Sequence, residues 1–253
     1  MANLEQYSER AQYYDIEFHD ASDRKILESI IDTVDGRVLE IPSGSGRNIW
    51  LAGKDTIDVV FADLNQSMVE QVTKKLKKGS RGAAIQADMT DLALGVFDLI
   101  LIPREGLQLL SKHQLLVTLK SIRASLKDEG SAYIDIAKLR APFSSPNHPT
   151  YITQQDAWYE DFDRRKDNVR MVRQHKSHMN SGILAVEYKF QVEDRGILRQ
   201  FETSIELTEY SIEELSDAFK RAGLRIMVLY GNYKMKPYQP TDDRMIFLVQ
   251  KDI

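Results

Sequence analysis

Between Arg37 and Ala137 short apolar runs alternate with stretches of helical period, and this alternation restricts the fold more than any other feature of the chain. RVLEI (37–41), DVVFAD (58–63), AAIQAD (83–88), FDLILI (97–102) and AYIDIA (132–137) have the length of strands. FDLILI is apolar nearly throughout, as a strand covered on both faces of a parallel sheet should be. Helices are predicted over NIWLAG, NQSMVEQVTKKLKK and SKHQLLVTLKSIRASLK, and ahead of the first strand DRKILESIIDTV places Ile26, Leu27, Ile30 and Ile31 at helical spacing before Gly36. Such a β-α-β series predicts an α/β fold with a doubly wound, mostly parallel sheet.

After Ala137 the pattern breaks. KLRAPFSSPNHPTY holds three prolines and reads as a loop. Extended runs follow near Arg170–Ser177, Leu184–Val192 and Leu198–Leu207, joined by the turns MNSG and EDRG. In the middle run Leu184, Val186, Tyr188, Phe190 and Val192 alternate with polar or small residues, so one face of this sheet is packed and the other solvated. The helical pattern then returns in SIEELSDAFKRAG, with Ser211 and Glu214 as a capping box and Gly223 as the stop, before the strands RIMVLYG and RMIFLVQK. The predicted layout is an α/β domain over 1–137 and 208–253, with an N-terminal helical lid, and an antiparallel β insertion over 138–207 roofing a pocket.

Zero cysteines exclude disulfides, thiolate catalysis and cysteine-held metals. The formal charge of −4 offers no basic footprint for nucleic acid, and KKLKKG (74–79) reads as the solvated end of a helix. No apolar run approaches the ~18 residues of a membrane span. The polar, acidic opening MANLEQYSERAQYYD does not read as a secretory signal, and a cytoplasmic location is the expectation. His175 and His178 are three apart in a predicted strand, which points them to opposite faces and predicts surface positions rather than a metal site.

The loop EIPSGSGRN follows the first strand. A dinucleotide fingerprint needs a third glycine where Ile49 stands, and a phosphate loop needs a lysine after its last glycine, where Arg47 stands. Neither reading survives. What remains is a backbone cradle formed by Gly44 and Gly46, with Glu40, Asp63 and Asp88 at the tips of the first three strands.

The ordered series VLEIPSGSGRN, VVFADLNQSMVEQ, AAIQADMTDLALGVFDLILIP and LKSIRASLKDEGSAYIDI resembles the class I S-adenosylmethionine-dependent methyltransferases, small-molecule type. That resemblance implies a Rossmann-like seven-stranded sheet, S-adenosyl-L-methionine as cofactor and S-adenosyl-L-homocysteine as product. It implies Glu40, Gly44, Gly46 and Arg47 beside the methionine end, Asp63 on the ribose hydroxyls, and Leu64 and Met68 against the adenine. Asp88 would accept from the adenine amino group with Met89 beside it, and Ile102 and Pro103 would face the transferable methyl. Tyr14 resembles the N-terminal aromatic that closes over cofactor and substrate; for Tyr13 and Tyr14 the alternative is ordinary packing. Pro42 departs from the Gly or Ala frequent in relatives.

Displacement at an activated methyl carbon asks mainly for positioning, so no triad or metal cluster is expected. In similar sequences the segment after the fourth strand often reads Pro-Phe-Arg-Ser-Phe-Gln-His-Leu; here Pro103, Gln108 and Leu110 match, while Glu105 replaces the arginine and Leu109 the histidine. Glu105, Gln108 and Tyr14 are therefore the positioning candidates. Glu105 would hold a cationic or N–H-bearing substrate, the other reading being a salt bridge to a nearby arginine. Tyr13, Arg104, Tyr151, Trp158 and Tyr159 complete the substrate set, and the insertion's aromatics could equally be packing. The expected reaction is methyl transfer to a small molecule, at nitrogen or alternatively oxygen, with a place in secondary metabolism. The fold without transfer activity is the third reading. No nucleic-acid or membrane partner is expected, and the chain is expected as a monomer or homodimer.

Overall fold

The computed structural model describes residues 4–18, 20–139 and 157–252. Three short helices lead in, α1 (Leu4–Ala11), α2 (Tyr14–Glu17) and α3 (Arg24–Ile31). The predicted alternation then follows as β1 (Gly36–Glu40), β2 (Ile57–Asp63), α4 (Gln66–Lys75), β3 (Gly82–Gln86), β4 (Phe97–Ile102), α5 (Lys112–Ser125) and β5 (Leu126–Ala137). After a second sheet, β6 (Tyr159–Lys166), β7 (Val169–Asn180), β8 (Ile183–Asp194) and β9 (Ile197–Thr208), the chain returns with α6 (Ile212–Ala222), β10 (Leu224–Tyr230) and β11 (Arg244–Lys251).

The main sheet has the order β10-β11-β5-β4-β1-β2-β3. All its neighbouring pairs are parallel except those made by β11, which runs against both β5 and β10. The order reverses between β1 and β4, and in open α/β sheets ligands bind at such a switch point, beyond the carboxyl ends of the strands. One face packs Ile100, Ile102, Ile134 and Phe247 under Leu119 and Phe219 of α5 and α6; the other packs Val38, Phe61, Leu99 and Tyr133 under Ile26, Leu27 and Ile31 of α3. FDLILI is continuous because both of its faces are buried.

Three sequence expectations shift. NIWLAG forms a 3-10 turn over Ile49–Gly53, β3 stops at Gln86 short of Asp88, and the second sheet has four strands rather than three. The extra strand, β6, hid from a periodicity search because YEDFDRRK is crowded with charge, a composition suited to an exposed edge strand. The alternation in β8 holds as read, with Leu184, Val186, Tyr188, Phe190 and Val192 all buried. Positive φ at Ser181, Gly182, Arg195 and Gly196 gives MNSG and EDRG their tight turns. The capping box of Ser211 and Glu214 and the left-handed Gly223 bound α6. Among the described residues no helix is long and apolar enough to cross a membrane.

Candidate functional site

The glycine loop leaves β1 at the switch point and is held from below by β2. Asp63 Oδ2 accepts from Gly44 N (2.8 Å) and Oδ1 from Asn65 N (2.9 Å). Asn65 in turn caps α4, accepting from Ser67 N and Met68 N. Gly44 and Gly46 have φ of +53° and +86°, values that L side chains rarely adopt, so glycine is a conformational requirement at both positions. Burial raises the Asp63 carboxyl above its ordinary range, against the two amide hydrogen bonds.

Glu40, at the tip of β1, is 2% exposed; its Oε1 accepts from Asn48 Nδ2 (2.8 Å) and its Oε2 has no hydrogen-bond partner. Burial pushes this carboxyl up to about 8, opposed by the Asn48 hydrogen bond and the nearby Arg47 charge. A buried polar atom without a hydrogen-bond partner calls for a ligand or water.

The N-terminal helices close on this loop. A Cβ on Gly44 would lie 3.5 Å from the Tyr14 ring, so Tyr14 covers the glycine. Asp15 accepts from Ser45 Oγ (2.7 Å) and Lys75 Nζ (2.6 Å), and Lys75 also donates to Ser45 O (2.7 Å). Arg47 makes a bidentate pair with Asp23, ahead of α3, at 2.5 Å for both bonds. Its guanidinium, expected at the cofactor, is thus engaged in anchoring the loop to the α2–α3 connection.

Past β4 the chain turns sharply through Arg104 and Glu105, both in the left-handed region at φ 48° and 55°. Consecutive non-glycine residues in that region are strained, and the surroundings hold them there. Arg104 N and Tyr233 Oη donate to Asp135 Oδ2, and Glu105 N donates to Asp135 O. Arg104 Nη2 reaches Asp20, Ser22 and Asp23. Arg244 binds Asp135 Oδ1 through Nε (2.8 Å) and Glu105 through Nη2. The Asp135 carboxyl is raised by burial, with Arg244 opposing and Glu105 adding to the shift. Gly106 closes the turn against Pro42: a Cβ there would lie 2.6 Å from Pro42 Cδ. Gly106→Ala is therefore expected to cost about 1–3 kcal/mol and to displace the turn; thermal unfolding of the variant checks this, and an unchanged midpoint would contradict the contact.

Several expected site residues lie elsewhere. Gln108 is fully buried and structural: its amide donates to Ala137 O and Thr208 O and accepts from Ala137 N, bolting the turn to the ends of β5 and β9. Tyr13 points into the core of the second sheet, stacked on Phe201, and not toward the strand tips. Trp158 lies under Lys176 and Lys189, on the opposite face of the second sheet from Tyr188 and Phe190. Tyr159 sits beside His175, which is buried at 4% exposure and not on the surface. Asp88 is exposed and turns back on Thr90, accepting from its N and Oγ1 (both 2.8 Å). Leu64 is 46% exposed, while Met68, Met89, Ile102 and Pro103 are buried. Tyr151 lies outside the described residues. Sequence reasoning passed over Asp15, Asp23, Asn48, Lys75, Asp135, Tyr233 and Arg244. Asn48 alone carried a signal, as the polar residue closing the glycine loop.

Taken together, two glycines with positive φ and two buried acids, one with an unpartnered oxygen, fit a ligand that brings an ammonium and hydroxyls. S-adenosylmethionine is such a ligand. The model of the family described as "Methyltransferase domain" matches residues 38–130. No curated protein matches the chain significantly. Among solved structures, an S-adenosylmethionine-dependent methyltransferase from Clostridium acetobutylicum is 19% identical, covers 97% of this chain and 98% of its own, and has a TM-score of 0.77. CalS10, an amino pentose methyltransferase from Micromonospora echinaspora, is 19% identical over 90% of this chain and 89% of its own, at TM-score 0.64. KedS8, a sugar N-methyltransferase from Streptoalloteichus, is 19% identical over 90% and 85%, also at 0.64. At these identities the structural likeness speaks for the fold, and the domain match speaks for the methyltransferase core. Residues 38–130 thus match a methyltransferase domain, and the chain as a whole has the Rossmann-like fold of methyltransferases whose cofactor is S-adenosylmethionine.

Proposed function

We propose that this enzyme transfers a methyl group from S-adenosylmethionine to a nitrogen of a small molecule. The observation that carries the reading is the surplus of acid at the strand tips. Asp20, Asp23, Glu40, Asp63, Glu105 and Asp135 are gathered around Arg47, Arg104 and Arg244. Burial holds Glu40 and Asp135 toward their neutral forms, and a cation arriving beside either would favour ionisation. A positively charged cofactor and an amine acceptor both suit such a site. CalS10 and KedS8, by their names, act on an amino pentose and on a sugar nitrogen, which supports the same acceptor class.

Bound, the cofactor supplies a methyl carbon already activated by its sulfonium. Gly44 and Gly46 would let the backbone approach its methionine end, Glu40 would take the ammonium, and Asp63 would take the ribose hydroxyls. Tyr14 would cover the cofactor. The strained turn at Arg104 and Glu105, fixed by Asp135 and Arg244, would place the Glu105 carboxylate at the acceptor. Precise placement of this kind can supply several kcal/mol of the barrier.

Calorimetry with S-adenosylmethionine and S-adenosylhomocysteine tests the cofactor, and a methyl-transfer screen over amines, heterocycles and phenols tests the acceptor. Transfer to phenols alone would replace nitrogen by oxygen, and binding of neither cofactor form would remove the reading. Glu105→Gln is expected to raise KM for a cationic amine about tenfold or more while cofactor affinity holds. An unchanged KM would release Glu105 from that role.

A further inference from the structure

The glycine loop ends on a relay of polar contacts that runs from α3 to Glu40. Asn48, 2% exposed, stands between Glu40 and Trp50: its Nδ2 donates to Glu40 Oε1 (2.8 Å), and its Oδ1 accepts from Trp50 Nε1 (3.3 Å). Trp50 lies in the 3-10 turn Ile49–Gly53, half-buried against the apolar cluster that α3 shares with the sheet. Arg24, the first residue of α3, lies over the indole with its guanidinium carbon 3.7 Å from the ring centroid, and Glu28 one turn on holds that guanidinium at 2.6 Å. Packing and guanidinium fix the indole, and the indole fixes the amide.

The direction of the relay follows from what each group can do. An indole N–H is a donor and nothing else, so the amide must turn its oxygen toward Trp50. The amide nitrogen is then what Asn48 offers Glu40. A carboxyl that accepts an N–H at Oε1 carries its proton, when it has one, on the other oxygen. That oxygen, Oε2, is the buried atom without a hydrogen-bond partner. With the amide turned over, Asn48 Oδ1 would face Oε1 and accept the carboxyl proton there. Such a bond favours the neutral acid, whereas the bond from Nδ2 favours the ionised one.

Resting on the placement of the cofactor ammonium at Glu40, we infer that Trp50 is a positioning residue for cofactor recognition: through Asn48 it keeps the Glu40 proton on Oε2, the oxygen that meets the ammonium. Binding then exchanges one cation for another at a single atom. The O–H bond at Oε2 breaks, its electron pair stays on oxygen, the proton leaves to solvent, and the ammonium keeps its own protons. The charged groups around Glu40 are Arg47 in the glycine loop, Asp23 ahead of α3 and Asp63 on β2, with Arg104, past β4, paired to the same Asp23.

Trp50→Phe keeps a ring under Arg24 and removes the N–H, which frees the amide to turn over. Carbon-13 NMR of the protein without cofactor, with the Glu40 carboxyl assigned by comparison with Glu40→Gln, should show Glu40 titrating at higher pH in Trp50→Phe than in wild type. An unchanged titration overturns the inference. Calorimetry with S-adenosylhomocysteine, which carries the same ammonium, should show affinity lowered about tenfold at pH 7 and within about twofold of wild type at pH 9, where the carboxyl ionises whichever way the amide points. A loss equal at both pH values would make Trp50 a packing residue only, and overturns the inference as well. Asn48→Ala should itself weaken binding at pH 7, and adding Trp50→Phe to it should change affinity by less than about twofold, because the indole acts through the amide; additive losses overturn that route. A wild-type protein that binds neither S-adenosylmethionine nor S-adenosylhomocysteine removes the cofactor reading and this inference together.

Discussion

Glu40→Gln is expected to make the protein alone more stable and its hold on S-adenosylmethionine weaker. The carboxyl is pushed up to about 8 in the folded chain, from an ordinary value of 4.5, chiefly because burial disfavours its charge. A carboxyl raised by folding contributes stability that is complete below the unfolded pKa and is lost as pH rises toward the folded one. From pH 4.5 to pH 7 folding must take up a proton against a rising cost, about 3 kcal/mol by pH 7. Glutamine has no proton to take up and can still accept from Asn48. At pH 7 its melting temperature should exceed that of wild type by about 10 °C, and the gap should shrink as pH approaches 4.5. Cofactor binding carries the opposite sign. An ammonium beside Glu40 favours the ionised form, so wild type should release close to one proton on binding at pH 7, and its affinity should rise with pH toward about 8. The variant should release none from this position and bind about tenfold more weakly or worse. Calorimetry in two buffers of different ionisation heat reads both effects. Equal proton release by the two proteins would refute the role given to Glu40.

Glu17→Ala is the second large effect, and it acts on the N-terminal helices. Glu17 is 4% exposed, and its carboxylate lies between the guanidiniums of Arg10 and Arg173, themselves 1% and 3% exposed. Removing one partner of a buried ion pair costs about 3–5 kcal/mol, because the charges left behind stay desolvated. Here the loss falls on the docking of α1 and α2. Hydrogen exchange over residues 8–18 should accelerate by a factor on the order of 100 to 1,000, while the strands of the main sheet keep their protection. Asp163→Ala, which breaks the exposed pair with Arg170 at the far tip of the second sheet, serves as the control and should leave exchange in α1 and α2 unchanged. Equal protection of α1 in wild type and Glu17→Ala would show that the helices are held by apolar contact instead.

Much of this architecture was legible in residue order. Strict alternation at Leu184–Val192, the apolar run at Phe97–Ile102 and the Ser211–Glu214 cap are local signals, and each forms the predicted element. The glycine loop was legible for the same reason, since positive φ at Gly44 and Gly46 is a property of single residues. What sequence order hid was partnership at a distance. Gln108 looked like a positioning residue from its place after β4, yet its amide is satisfied by backbone groups 29 and 100 residues away. Arg47 looked like a ligand contact because it follows Gly46, yet it meets Asp23, 24 residues earlier. Trp158 looked like a pocket wall because it is aromatic and close to acids; its neighbours on the fold are Lys176 and Lys189. Residue type and local spacing carry no information on which of several carboxylates a given cation will choose. Glu105 shows this best, since both readings of it were written in the sequence and its partner Arg244 stands 139 residues on.

Among the described residues α2 is the shortest α-helix, and its reach is wide. Within four residues α2 lays Tyr14 over Gly44, ties Asp15 to Ser45 and Lys75, and sends Glu17 into the second sheet. Such a segment cannot shift at one end without disturbing the other. Any molecule that tightens Tyr14 against the glycine loop also favours the seated Glu17, and with it the placement of Arg173 and of its partner Asp161. Linkage makes the effect mutual: an occupant that steadies the second sheet strengthens the hold on the cofactor by the same factor.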